Sequence, residues 1–271
     1  MSIPFCLTNV YTVDIMLNPA KTLKNLFYNL GFFAKTLAGV GSFIRNSTTS
    51  YKILIMQILF TFVYALGIST LLAVAIGAAV NIIGVPYLSM ISQDNLIYTL
   101  LILIITRELG PLLTAFIVIA RSATAIATEI AGMVISHEVE AYISVGVDPI
   151  EHLAVPRFLG VTISLVLLNI YFSVFGLAGS YLIAQFFNKM SMEHYFTSLL
   201  QNLNIRDILL SLIKSISFGA IISIGAVIQG FSVERASTEV PVAGLKAVSS
   251  AFALCIVVNV FLSMLFYIVF A

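Results

Sequence analysis

The sequence predicts an all-α, polytopic integral membrane protein: an N-terminal interfacial amphipathic helix, five transmembrane helices and a short cytosolic helix between the second and third spans. Three observations predict it. The 271 residues are 60% hydrophobic and only 9% charged, with a mean hydropathy of +1.09, whereas a soluble domain carries about 25% charged residues. So few charges cannot clothe a water-facing surface of this size, so lipid must be most of the solvent. The apolar residues are gathered into five runs, each near or above the roughly 20 residues that cross a bilayer. Finally, Lys and Arg are unevenly divided among the connecting segments.

The elements follow in order. Met1 to Asn18 lacks a basic start and a small-residue cleavage site, so a removed signal peptide is not expected. Residues 19–45 place Leu23, Leu26, Phe27, Leu30 and Phe33 at helical spacing, with Lys21, Lys24 and Lys35 off that stripe. A basic amphipathic segment of this kind lies in the membrane interface. The first span is 53–80, followed by a turn-rich loop over 81–95 containing Gly84, Pro86 and Asp94. The second is 96–133, with a break expected near 110–111, where Pro111 lacks a donor. Within it Ala123, Ala127 and Ala131 recur every fourth residue, a spacing that lets helices approach closely in lipid.

Residues 137–149 turn polar and amphipathic, with Val139, Tyr142, Ile143 and Gly146 on one side, and Pro149 ends or restarts the helix. The third span is 158–187, the fourth 208–231 and the fifth 247–270, separated by polar loops over 188–207 and 232–246. The whole chain reads as a single domain. Lys21, Lys24, Lys35, Arg45, Lys52, Arg157, Arg235 and Lys246 flank one side and only Lys189 and Arg206 the other. That asymmetry places the N-terminus and the 137–157 segment in the cytosol and the C-terminus outside.

Several classes of activity find no support. A net charge of +1 gives no electrostatic case for nucleic acid. Cys6 and Cys255 form no framework or metal spacing. HExxH, GxSxG and the P-loop are missing, so no catalytic or metal-binding residue is assigned. What demands explanation is charge inside apolar runs. Arg107 and Glu108 interrupt the second span and Lys214 the fourth. A charge at the bilayer centre costs about 2.5–3.5 kcal/mol, so these must face protein or water. They are either a structural ion pair or the polar element of a substrate cavity. Neighbours on a helix do not face each other, so each needs a separate partner, with Lys214 a candidate for Glu108. Arg121 and Glu129, eight residues apart, either mark the cytosolic end of the second span or make helix contacts inside the bundle.

The run Arg107-Glu108-Leu109-Gly110-Pro111, followed by Ala120-Arg121-Ser122, Thr128-Glu129, Met133, Glu140-Ala141, Gly146-Val147-Asp148-Pro149 and Val155-Pro156-Arg157, resembles the MlaE/YrbE permease family. Lys214-Ser215 and Phe218-Gly219 fit its fourth span. The resemblance implies the membrane subunit of an ABC transporter that moves phospholipid or a related lipid between the inner membrane and an outer envelope layer. It implies a homodimer, a separate cytosolic ATPase that binds ATP and Mg, an MCE-domain subunit on the outer side, and no cofactor in this chain. The implied membrane is the bacterial inner membrane, with a plastid inner envelope as the alternative. Arg107, Glu108, Leu109 and Lys214 would lie by the lipid cavity. Glu138, Glu140, Ala141, Gly146, Asp148 and Pro149 would form the helix that docks on the ATPase. His137-Glu138-Val139-Glu140-Ala141-Tyr142 departs from the family's usual Glu-Gln-Ile-Asp-Ala-Leu, and Val134 replaces a common basic residue. A membrane scaffold and an ion-coupled carrier are the readings from other classes.

Overall fold

The computed structural model describes residues 31–41, 43, 48–90, 96–188, 191–233 and 236–270. Eight helices organise them. We label α1 (31–41), α2 (Tyr51–Leu88), α3 (Leu96–Ile135), α4 (Glu138–Ser144), α5 (Ile150–Phe186), α6 (Met192–Asn202), α7 (Ile205–Phe231) and α8 (Glu239–Val269). Helices α2, α3, α5, α7 and α8 are long and apolar enough to cross a membrane. No strand occurs among the described residues. Helix is what lipid demands, since a backbone group unpaired in hydrocarbon has no water to bond. Helices α1 and α4 lie at one end of the bundle and α6 at the other.

The sequence misplaces several helix ends. The loop expected over 81–95 is helical through Met90, with Pro86 inside the helix. In lipid, opening the backbone at Gly84 exposes more polar groups than keeping the turn, so the helix outlasts signals that would end it in water. The polar loop over 188–207 contains α6, which Ser191 starts by accepting a hydrogen bond from the His194 amide. Helix α8 starts at Glu239, eight residues early, because Pro241 falls in its first turn, where a missing N–H costs nothing. Residues 19–30, 42, 44 and 45 of the expected interfacial helix lie outside the described residues. Over 31–41 the buried face is Phe32 and Thr36, with Phe33 only partly covered. The Phe32 ring sits 6.3 Å from that of Phe231, so α1 docks on the end of α7.

Close approach between helices holds the bundle. A methyl built on Gly77 would come within 2.3 Å of the Gly176 carbonyl, so α2 and α5 touch backbone to backbone. Asn81 reinforces the contact by donating to the Ser180 carbonyl at 3.0 Å. Ala123, Ala127 and Ala131 are all fully buried. Ala127 faces Gly230 of α7, whose missing Cβ would meet the Ala127 carbonyl at 2.9 Å, and Ala131 packs with Val233 and Ala243. The four-residue repeat therefore does seat α7 and α8 against α3.

No break occurs at 110–111. Helix α3 continues through two segments of wide π-helical turns, Ile102–Leu109 and Ile119–Ala123. Its 40 residues would reach about 60 Å at 1.5 Å per residue, against roughly 30 Å of hydrocarbon. That surplus is enough to carry one end of the helix clear of the apolar layer.

Candidate functional site

The first wide turn exists because of Pro111. Without an N–H, Pro111 leaves the Arg107 carbonyl without its helical partner. Lys214 of α7 supplies the donor, its Nζ lying 3.2 Å from the Arg107 oxygen. The same ammonium donates to Glu108 Oε2 at 2.7 Å and to Ser263 Oγ of α8 at 2.7 Å. An ammonium has three N–H donors, so Lys214, which is fully buried, is saturated inside the protein. Ser263 in turn donates to the Glu108 carboxylate at 2.9 Å. These bonds tie α3, α7 and α8 into one polar knot.

Arg107 is different. Its Nη1 lies 3.5 Å from Asp207 Oδ1 and its Nε 3.5 Å from Glu108 Oε1. Both are ion-pair distances, yet Nε and Nη2 have no hydrogen-bond partner among the described residues. The guanidinium stacks under Phe266 and Tyr267 of α8, 4.3 and 4.5 Å from the ring centroids. It lines a cleft of about 270 Å³ at the α6 end of the bundle, with Thr99, Asn202, Asn204, Asp207 and Phe266. The structure thus brings Arg107, Glu108 and Lys214 together, and of the three Arg107 lines that cleft. Leu109 is half-buried and joins none of the polar contacts. Separate partners were expected for Arg107 and Glu108. They have them, and in the wide turn they also approach each other.

At the other end, α3 stops at Ser136 and His137. The Ser136 amide donates to the Gly132 carbonyl, and His137 turns left-handed at φ 61°. The expected helix over 137–149 is shorter, Glu138–Ser144, because Gly146 ends it. Gly146 has φ 82°, its amide donates to the Ile143 carbonyl and that of Val147 to the Tyr142 carbonyl. This is the pattern of a glycine-terminated helix. Asp148 then starts α5: its Oδ1 accepts from the Ile150 amide at 2.9 Å, and Pro149 suits the following position. The other Asp148 oxygen pairs with Lys35 of α1 at 2.8 Å, which holds the Asp148 carboxyl below its ordinary range.

The acidic residues of this turn are thus engaged locally. Glu140 pairs with His137 at 2.8 Å, and Glu138 accepts from Ser136 at 3.0 Å. Ala141 is exposed. Apolar side chains face outward beside them: Ile143 is 60% and Val145 80% exposed, on a segment where nothing is buried. Val145 is missing from the residues singled out in the sequence, and Val147 enters there only within the Gly146-Val147-Asp148-Pro149 run, although two valines in a polar turn were the available signal. Deeper in, Arg121 donates to the Tyr64 carbonyl and Glu129 pairs with Arg157 at 2.8 Å. Both join spans.

The family profile described as Permease MlaE matches residues 54–265. The chain belongs to the MlaE permease family. It is 31% identical over 216 residues to a probable ABC transporter permease protein of Rickettsia prowazekii, covering 80% of this chain and 83% of that one. It is 25% identical over 194 residues to the intermembrane phospholipid transport system permease protein MlaE of Haemophilus influenzae, covering 69% and 74%. It is also 31% identical over 160 residues to the chloroplastic protein trigalactosyldiacylglycerol 1 of Arabidopsis thaliana, covering 59% and 46%. This MlaE-family chain is a multi-pass membrane protein whose polar residues gather at the two ends of one long helix.

Proposed function

We propose that the chain is the permease subunit of an ABC transporter moving phospholipid or a related lipid between the inner membrane and the outer envelope. A separate cytosolic ATPase drives it, and its partners are a second copy of itself and an MCE-domain subunit. One observation carries the substrate reading. Arg107 is buried beneath two aromatic rings, borders a cleft and keeps two donor atoms without hydrogen-bond partners, and a phosphate accepts such donors in charge-assisted bonds. Lys214 and Glu108 serve by fixing that turn, since their own bonding is internal. The phospholipid transport named for the Haemophilus relative supports the same substrate class.

The ATPase would grip the turn that presents Ile143, Val145 and Val147, with Glu138, Glu140, Ala141, Gly146, Asp148 and Pro149 shaping it. The excess of Lys and Arg in the segments flanking that end supports a cytosolic position for it. One side of α8 packs on the bundle through Ala247, Ala251 and Cys255, and the other, with Val257, Val260, Phe261 and Met264, is exposed, which leaves a face for a second copy.

The test is ATP-driven lipid transfer between vesicles by the reconstituted complex. Arg107→Gln lowers transfer while the ATPase still co-purifies, and Val145→Asp loses the ATPase while the chain still inserts. Undiminished transfer with Arg107→Gln would refute the cavity assignment, and ATPase retention with Val145→Asp would refute the docking surface.

A further inference from the structure

A second recess, of about 480 Å³, lies between the beginning of α2, the far half of α3 and the beginning of α5. It is remote in sequence and in the bundle from the Arg107 cleft. Ile53, Met56 and Phe60 of α2 give it an apolar wall. Met56 and Phe60 are exposed, so it opens sideways off the bundle, where hydrocarbon would lie. Lys52 stands at the membrane-surface end of α2, and Phe60 is about 12 Å deeper at 1.5 Å per residue. Cation first and apolar wall below is the order in which a lipid presents phosphate and acyl chain.

The charges are not balanced internally. Glu129 is neutralised by Arg157 Nη2 at 2.8 Å, and Arg157 Nη1 donates to the Leu153 carbonyl at 2.9 Å. Arg157 is only 3% exposed, and its Nε has no partner among the described residues. Lys52 has no ion pair among them either. The wall is firmly built: Gln57 bonds Thr61 at 3.1 Å and Thr61 accepts from Ser122 of α3 at 3.0 Å.

We propose that this recess is a binding site for one glycerophospholipid of the leaflet on the α1 and α4 side. Its phosphate is held by Lys52 and Arg157, and an acyl chain lies along Ile53, Met56 and Phe60. A free phosphate has no use for the apolar wall, and a purely apolar occupant leaves the Lys52 charge uncompensated and Arg157 Nε without an acceptor. The site stands on the geometry of the recess and requires no transport activity.

The experiment uses the full chain, purified with its partner subunits, in nanodiscs of phosphatidylethanolamine and phosphatidylglycerol. A benzophenone amino acid replaces Met56, or, as a control, Leu71, which is equally exposed on α2 but outside the recess. Illumination yields a phospholipid adduct at both. Lys52→Glu lowers the adduct at position 56 about tenfold, the worth of one charge-assisted hydrogen bond. Lys52→Arg restores it, and the yield at position 71 does not respond. Equal insensitivity at both positions overturns the site. Displacement by excess inorganic phosphate reduces it to a phosphate site and overturns the lipid assignment. A crosslink to a second copy or to another segment of the chain overturns it as well. Lipid transfer that fails while the charge-sensitive adduct persists refutes the transport reading and leaves this site standing.

Discussion

Replacing Lys214 with Met keeps the length and apolar stem of the side chain and removes only the ammonium. Three groups then lose their donor: the Arg107 carbonyl, which Pro111 cannot serve, the Glu108 carboxylate and the Ser263 hydroxyl oxygen. Breaking a buried ion pair on one side costs about 3–5 kcal/mol. Glu108 is 28% exposed and keeps its bond from Ser263, which puts Lys214→Met at the low end, about 3 kcal/mol. Adding Glu108→Leu removes the unpaired carboxylate and leaves the orphaned carbonyl and the Ser263 hydroxyl, neutral groups whose loss costs about 1–2 kcal/mol. The double variant is therefore more stable than Lys214→Met alone, so that a second mutation rescues the first. Chemical-denaturation midpoints of the wild type, both single variants and the double variant in one detergent give the full cycle. A double variant that falls as far as the sum of the singles would show that the knot carries no coupling, and the account of the wide turn would be wrong.

Other outcomes follow from the same geometry. Gly77→Ala forces a methyl into the Gly176 carbonyl and destabilises by about 1–3 kcal/mol. Gly67→Ala on the same helix meets nothing within 4 Å and is neutral or stabilising; equal thermal shifts in the two variants would refute the close α2–α5 contact. Glu140→Lys exchanges the His137 pair for a second cation on the exposed turn, so ATP-driven transfer is lost while the protein still inserts; unchanged transfer would remove Glu140 from coupling. Asp148, lowered below its ordinary 3.8 chiefly by the Lys35 bond, adds stability above that range and loses it as pH falls through its own lower value. The α1 clasp thus holds at neutral pH and fails only in strong acid. Both partners are more than a third exposed, so Asp148→Asn costs under about 1 kcal/mol. It speeds amide exchange in 31–41 by up to about fivefold at neutral pH, and equal rates in the two proteins would refute the clasp.

The five spans are legible in the sequence because lipid penalises every polar interruption, so apolar length alone marks a crossing. Arg107, Glu108 and Lys214 are legible for the same reason: a charge inside such a run needs a partner. Helix ends are less so. Gly84 and Pro86 are stop signals calibrated in water, and hydrocarbon reverses their balance. The expected break at Pro111 fails because its repair comes from a lysine in another span, which no local pattern around the proline reveals. At the exposed turn, acids draw the eye as contacts for a partner. Asp148 starts α5 and clasps Lys35 and Glu140 holds His137, while Ile143 and Val145 add an exposed apolar surface beside them. At each end a charged side chain completes the backbone or the local turn, a role that no local sequence pattern reveals. The consequence joins the ends. Helix α3 runs without a break from the Arg107 turn to the residues that precede α4, and the knot fastens its far end to α7 and α8. A displacement of the exposed turn therefore has one continuous helix through which to reach the cleft. The wide turns at Ile102–Leu109 and Ile119–Ala123 are where that helix is able to yield.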